Sequence, residues 1–179
     1  MYALAFQWGL AEATLFFVVP DVLLSLLALK DRRRAWIASG YAVAGAVLGG
    51  ALMYAWAIHD PAQVRSLLVS IPAITPEPIE QVRRQLGDWG YASLFAGAFS
   101  GVPYKLYASE AGAAALPFAG LLAMTIPARA LRFMLVVAVV NGITRRWLVE
   151  WTHAQRMAAL LLGWALFYGW YFSAMQGMD

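Results

Sequence analysis

Arg129 and Arg132 stand three residues apart in the run Ala111–Val140, which is otherwise free of charge. The run is long enough to cross a bilayer, where a central arginine costs about 2.5–3.5 kcal/mol even on the lenient insertion scale. Residues three apart share one helix face, so both guanidinium groups can converge on a single partner. A chain keeps such groups when they face protein or a wet cavity, often to hold an anion. Lys105, Glu12, Asp21 and Glu110 are likewise set in apolar stretches. Arg129, Arg132 and Lys105 are the candidates for gripping a phosphate, arginine in bidentate fashion and lysine as a point charge. Glu12, Glu110 and Asp21 are the candidate proton carriers, because desolvation favours a neutral carboxyl.

Composition says what kind of molecule carries these groups. Of 179 residues, 62% are hydrophobic and 13% charged, and the mean hydropathy is +0.64. Soluble domains are about a quarter charged, so an integral membrane protein is expected. The apolar runs are continuous, without the alternation of barrel strands, which points to helices. No cysteine is present, which removes disulfides, thiolate metal sites and cysteine catalysis. His59 and His153 are far apart and lack paired-ligand spacing, so neither a metal nor another cofactor is indicated. The N-terminus has neither a basic n-region nor a clear cleavage site and reads as mature structure.

The elements that position the charges follow from the oddities of the runs. The first, residues 3–29, contains Glu12, Pro20 and Asp21. It is expected to form a re-entrant hairpin turning at Val19-Pro20-Asp21, each arm too short to cross alone. Residues 35–58 form a full span, with Gly45 and Gly49 at a spacing suited to close helix packing or to a helix dimer. Residues 59–90 make a connector broken by Pro72, Pro76 and Pro78, in which Glu77–Trp89 forms an amphipathic helix lying on the membrane surface. Arg83 and Arg84 are expected on its solvated face or touching headgroups.

Residues 91–116 repeat the first oddity, with Gly101, Pro103, Lys105 and Glu110 inside an apolar run. A second hairpin turning at Gly101-Val102-Pro103 is expected. Residues 117–140 are a second span, kinked at Pro127, and residues 157–175 a third. Trp164, Tyr168, Trp170 and Tyr171 near its end read as an interfacial aromatic belt.

The fold class is therefore an all-α integral membrane protein in one domain, residues 1–179. It has two inverted re-entrant hairpins, each followed by a span, and a C-terminal span. Gly9…Leu15-Phe16…Pro20 weakly echoes Gly90…Leu94-Phe95…Pro103, and broken elements in inverted repeats are characteristic of transporters. Lys30, Arg32, Arg33, Arg34, Arg145, Arg146 and Arg156 fall on one side, against Arg65, Arg83 and Arg84 on the other. Positive-inside weighting puts the N-terminus in the cytoplasm and the C-terminus outside.

An enzyme is not expected. Ser100-Gly101 has no nearby membrane histidine, there is no His-Glu-x-x-His, and Asp21 stands without the spaced aspartates of a metal-dependent lipid phosphotransferase. Two alternatives to a carrier of phosphate-bearing lipid are a structural or assembly protein, whose charges only neutralise one another, and a transporter of small ions or solutes.

Glu12 with Pro20-Asp21-Val22-Leu23-Leu24, Gly45…Gly49-Gly50…Tyr54, and Phe99-Ser100-Gly101-Val102-Pro103-Tyr104-Lys105 before Ala111-Gly112 resemble the DedA family, the bacterial branch of the SNARE-associated or VTT-domain proteins. The likeness covers roughly residues 9 to 140. It implies two facing re-entrant hairpins, the bacterial inner membrane, and movement of a lipid such as undecaprenyl phosphate between leaflets. Membrane lipids would be the partners, with no nucleic acid. Glu12 matches the acidic residue before the first hairpin's proline, Pro20 that proline, and Lys105 roughly a basic residue after the second. The chain departs where members carry Arg-Phe before the second proline (here Gly101-Val102) and often Gly-Asp before the tyrosine of the first span (here Gly49-Gly50). Asp21 or Glu110 would then supply the acid, and Arg129 or Arg132 the guanidinium.

Overall fold

The computed structural model describes residues 1–71 and 74–176, so the expected break at Pro72 lies outside the described residues. The described chain is helical with no strand. In order it forms α1 (Tyr2–Glu12), α2 (Asp21–Lys30), α3 (Arg32–His59), α4 (Pro61–Val69), α5 (Pro76–Trp89), a 3-10 turn at Gly90–Ala92, α6 (Ser93–Ser100), α7 (Tyr104–Ala113), α8 (Phe118–Arg146) and α9 (His153–Gln176). By length and composition, α3 and α8 are apolar enough to cross a membrane. At 28 and 29 residues each is about 42 Å long.

Both expected helix breaks are present. The chain leaves α1 at Glu12 and re-enters helix at Asp21, with Pro20 at the cap position. In the second, α6 ends at Ser100, Gly101 takes a left-handed φ of 82° that suits a residue without Cβ, and Pro103 caps α7. Pro20 and Pro103 thus play matching parts, each heading the second arm. Gly9 and Gly90 do not: Gly9 is pressed against the α3 backbone at Ala42, whereas Gly90 faces open space. The arms α1, α2, α6 and α7 have 11, 10, 8 and 10 residues, roughly 12–17 Å each and about half a hydrocarbon core.

The two broken pairs approach from opposite ends of α3. Tyr2 stacks on Tyr41, and α1 then runs alongside α3 until Ala13 meets Gly49. α2 leads back to the Arg32 end, packed on α8 and α3. In the second pair, Gly112 lies against Tyr54 near the other end, and the Tyr91 hydroxyl donates to the Pro117 carbonyl at 3.0 Å. α8 is antiparallel to α3: Tyr54 contacts Leu116 and Phe118, while Ala35 and Ala38 share a core with Phe133 and Val137.

Several expectations change. α3 begins at Arg32 because the Asp31 side chain accepts from the Arg34 amide at 3.1 Å, drawing the basic cluster into the helix. The connector holds a helix that periodicity did not reveal, α4, started by the Asp60 cap on Gln63 and Pro61 in the first turn. α5 does not lie free on a surface: Ile79, Val82 and Leu86 are buried in the core with Leu106 and Tyr107 of α7. Its amphipathic face is satisfied by protein. α8 runs past the expected end at Val140 to Arg146, with Pro127 inside it. The small-residue face of α3 is occupied within the chain, since a Cβ on Gly45 would sit 2.0 Å from the Phe6 carbonyl oxygen and one on Gly49 2.7 Å from the Ala13 Cβ. It is not open to a second copy.

Gly45→Val is expected to exceed the roughly 1–3 kcal/mol of ordinary overpacking, because the obstruction is backbone. Thermal unfolding in detergent should show a lower Tm for Gly45→Val, whereas Gly40→Ala, with open space at its Cβ, holds or raises it.

Candidate functional site

The midpoint of α8 carries the charges that join the two breaks. Arg132 donates from Nε and Nη2 to Asp21 Oδ2 at 2.9 and 2.7 Å, and from Nη1 to the Ala98 carbonyl at 2.8 Å. One guanidinium therefore binds the first residue of α2 and one of the last carbonyls of α6. The end of an α-helix leaves such carbonyls without intrahelical partners, so a planar donor fork suits this place. Asp21 does not cap α2; both of its observed hydrogen bonds go to Arg132, and Oδ1 is buried without a partner.

One turn earlier, Arg129 pairs with Glu12 at the last residue of α1. Both side chains are buried. The guanidinium also lies 5.2 and 4.9 Å from the ring centres of Tyr104 and Phe133, the latter a full turn along its own helix. The Tyr104 hydroxyl is 2.8 Å from Thr125 Oγ1 and fills the space a side chain on Gly50 would need.

Lys105 differs from the two arginines. It is buried in the first turn of α7, and its Nζ donates at 2.6 Å to the Phe16 carbonyl in the loop between α1 and α2. The two breaks thus touch directly. Among the described residues Lys105 makes no ion pair. The same loop is held by Trp8 Nε1 donating to the Val18 carbonyl at 2.9 Å and by the Val19 amide donating to the Tyr168 hydroxyl at 3.0 Å.

Five of the six singled-out charged residues, Glu12, Asp21, Lys105, Arg129 and Arg132, line one cavity of about 970 Å3, together with Gly101 and Pro103. Glu110 does not join them. It is buried beside the connector, where Arg65 donates to both of its oxygens at 2.8 Å and Arg83 approaches at 3.4 Å while also pairing with Glu80. The Glu110 hydrogen bond raises the Arg65 guanidinium above its ordinary pKa. Arg83 is exposed, as expected, and is also paired, and the Glu110 cluster ties α4 and α5 to α7. Asp60-Pro61 was the signal that would have placed Arg65 on a helix near it.

The cavity reaches from the connector, at Ile74 and Gln81, past the junction to α8 and α9. Trp164, Tyr168, Trp170 and Tyr171 line it rather than forming only an outward belt, and Trp164 Nε1 donates to Ser25 Oγ at 3.0 Å. Among the described residues no group of three His, Asp or Glu side chains is placed to hold a metal ion. The arrangement offers two neutralised pairs, one unpaired amine and apolar walls. That is chemistry for binding an amphiphilic anion.

Removing one member of the Arg129–Glu12 pair leaves a buried charge, at a cost of about 3–5 kcal/mol. Arg129→Ala and Glu12→Ala should each lower Tm in detergent, and the double variant should recover part of the loss. Additive losses would show that the two side chains do not share an interaction.

Comparison with protein-family profiles, with curated proteins and with solved structures finds no match to this chain.

Proposed function

We propose that this protein is a helical membrane carrier that moves a phosphate-bearing lipid between leaflets. The observation that carries the reading is the cavity of about 970 Å3 at the meeting point of two helix breaks, with Lys105 and Arg132 on its wall. On this reading α3 and α8 span the bilayer, α9 is the third span, and α1–α2 and α6–α7 are re-entrant pairs entering from opposite faces. The short arms, the opposed approach and the contact between breaks support it, as does the rule that irregular backbone at membrane depth borders protein or a cavity. The DedA likeness, the bacterial inner membrane and a cytoplasmic N-terminus belong to the same proposal and rest on sequence motifs and charge placement. Phospholipid and polyprenyl phosphate share the headgroup chemistry the site offers.

Within the site the residues divide by their partners. Lys105 has only a backbone carbonyl to give up, so it is the first contact for a phosphate. Arg132 follows, because it can exchange the Ala98 carbonyl for a phosphate oxygen without leaving Asp21. Glu12 and Asp21 would carry protons only if their pairs open. Glu110 stands outside the pathway as a clamp on the connector. The Arg129–Glu12 pair specifically favours a structural role for those two residues, since neither is free to meet substrate.

Translocation of a fluorescent polyprenyl phosphate and a fluorescent phospholipid in proteoliposomes tests the reading. Lys105→Gln keeps a donor for the Phe16 carbonyl and removes the charge. It should slow translocation at least tenfold with Tm unchanged. Wild-type rates in a folded Lys105→Gln protein would overturn the assignment, and loss of protein level without loss of specific activity would favour a structural protein instead.

A further inference from the structure

The cavity does not end at the charged junction. It continues between α8 and α9 toward the Arg146 end, past Val136 and Val140 on one side and Leu160, Gly163 and Phe167 on the other. Arg132, Val136 and Val140 recur every fourth residue and so form one stripe of α8; Leu160, Gly163 and Phe167, spaced by three and then four, share one face of α9. From Arg132 to Val140 the stripe is about 12 Å long and carries no charge beyond Arg132.

The groove is held open by construction. α9 does not pack along α8; it rests on α2, where Trp164 Nε1 donates to Ser25 Oγ, and on the loop before α2, where the Val19 amide donates to the Tyr168 hydroxyl. α2 thereby sets the gap between the two long helices. At Gly163 nothing lies within 4 Å of where a Cβ would stand, so the groove has spare room at its middle. An apolar slot that opens directly onto Lys105 and Arg132 matches a molecule that is anionic at one end and hydrocarbon at the other.

We propose that the α8–α9 groove is the site for the hydrocarbon chain of an amphiphilic phosphate monoester whose phosphate meets Lys105 and Arg132. The proposal rests on the carrier reading above and adds where the tail lies. The open space at Gly163 makes the groove testable, because a large side chain there fills the slot without displacing the fold.

The test is photolabelling in lipid nanodiscs with hexadecyl phosphate carrying a diazirine on its chain, mapped by mass spectrometry. Wild type should be labelled at groove residues such as Val136 and Leu160, and excess butyl phosphate should reduce the yield. Gly163→Phe should lower groove labelling at least tenfold with Tm unchanged. Gly142→Phe, also open at its Cβ but away from the cavity, should not. Labelling that disappears in Lys105→Gln but maps outside the groove, or survives Gly163→Phe, overturns the tail site and leaves the carrier reading standing. Labelling spread evenly over the outer helix faces and indifferent to Lys105→Gln overturns both.

Discussion

The architecture turns on one guanidinium. Arg132 sits at the midpoint of the longest helix and binds a carboxylate at the start of α2 and a carbonyl near the end of α6. In an apolar molecule a charge is costly unless it is paired. The pairing needs Asp21 at the head of one helix and Ala98 in the last turn of another, both facing the same point. The Arg129–Glu12 pair repeats the logic one turn away and anchors the end of α1. The two breaks are thus joined by two ion pairs set one turn apart on α8.

The same economy leaves one group unsatisfied by charge. Lys105 holds the Phe16 carbonyl, a neutral acceptor, while its neighbours are locked in pairs. The cavity wall around it is aromatic and aliphatic, and it runs on in both directions from the junction. On the proposed reading, the paired arginines keep the site assembled and the lysine confers its preference for anions. Stability and binding are thus assigned to different residues of one cluster, although the sequence presents them as six similar charges.

Much of this was legible before the structure. Prolines and charges placed inside apolar runs gave both breaks within a few residues, since a simple span rarely carries either. The embedded charges, whose cost demands a reason, marked five residues that line one cavity. What could not be read was who pairs with whom. Glu110 looks like its companions in sequence, yet it faces Arg65 and Arg83, and only the path of α4 brings those groups there. The cue for α4, Asp60-Pro61, was local and easily passed over beside the louder prolines that follow. The inward turn of Trp164 and Tyr168 had no sequence signal, because an aromatic belt and an aromatic cavity wall share one composition. Helix faces of α5 and α3 that looked available for a membrane surface or a second copy are used within the chain.

The central claim is that both helix breaks turn back inside the bilayer and meet there. Its most direct test is the depth of each break, and the absence of native cysteine makes single labels clean. Phe17→Cys and Val102→Cys, each carrying bimane, would be reconstituted with lipids bearing nitroxide quenchers at defined depths. The account predicts that both labels are quenched most strongly by the deepest nitroxides. Strongest quenching of either label by headgroup-level nitroxide, or quenching of neither, would contradict it.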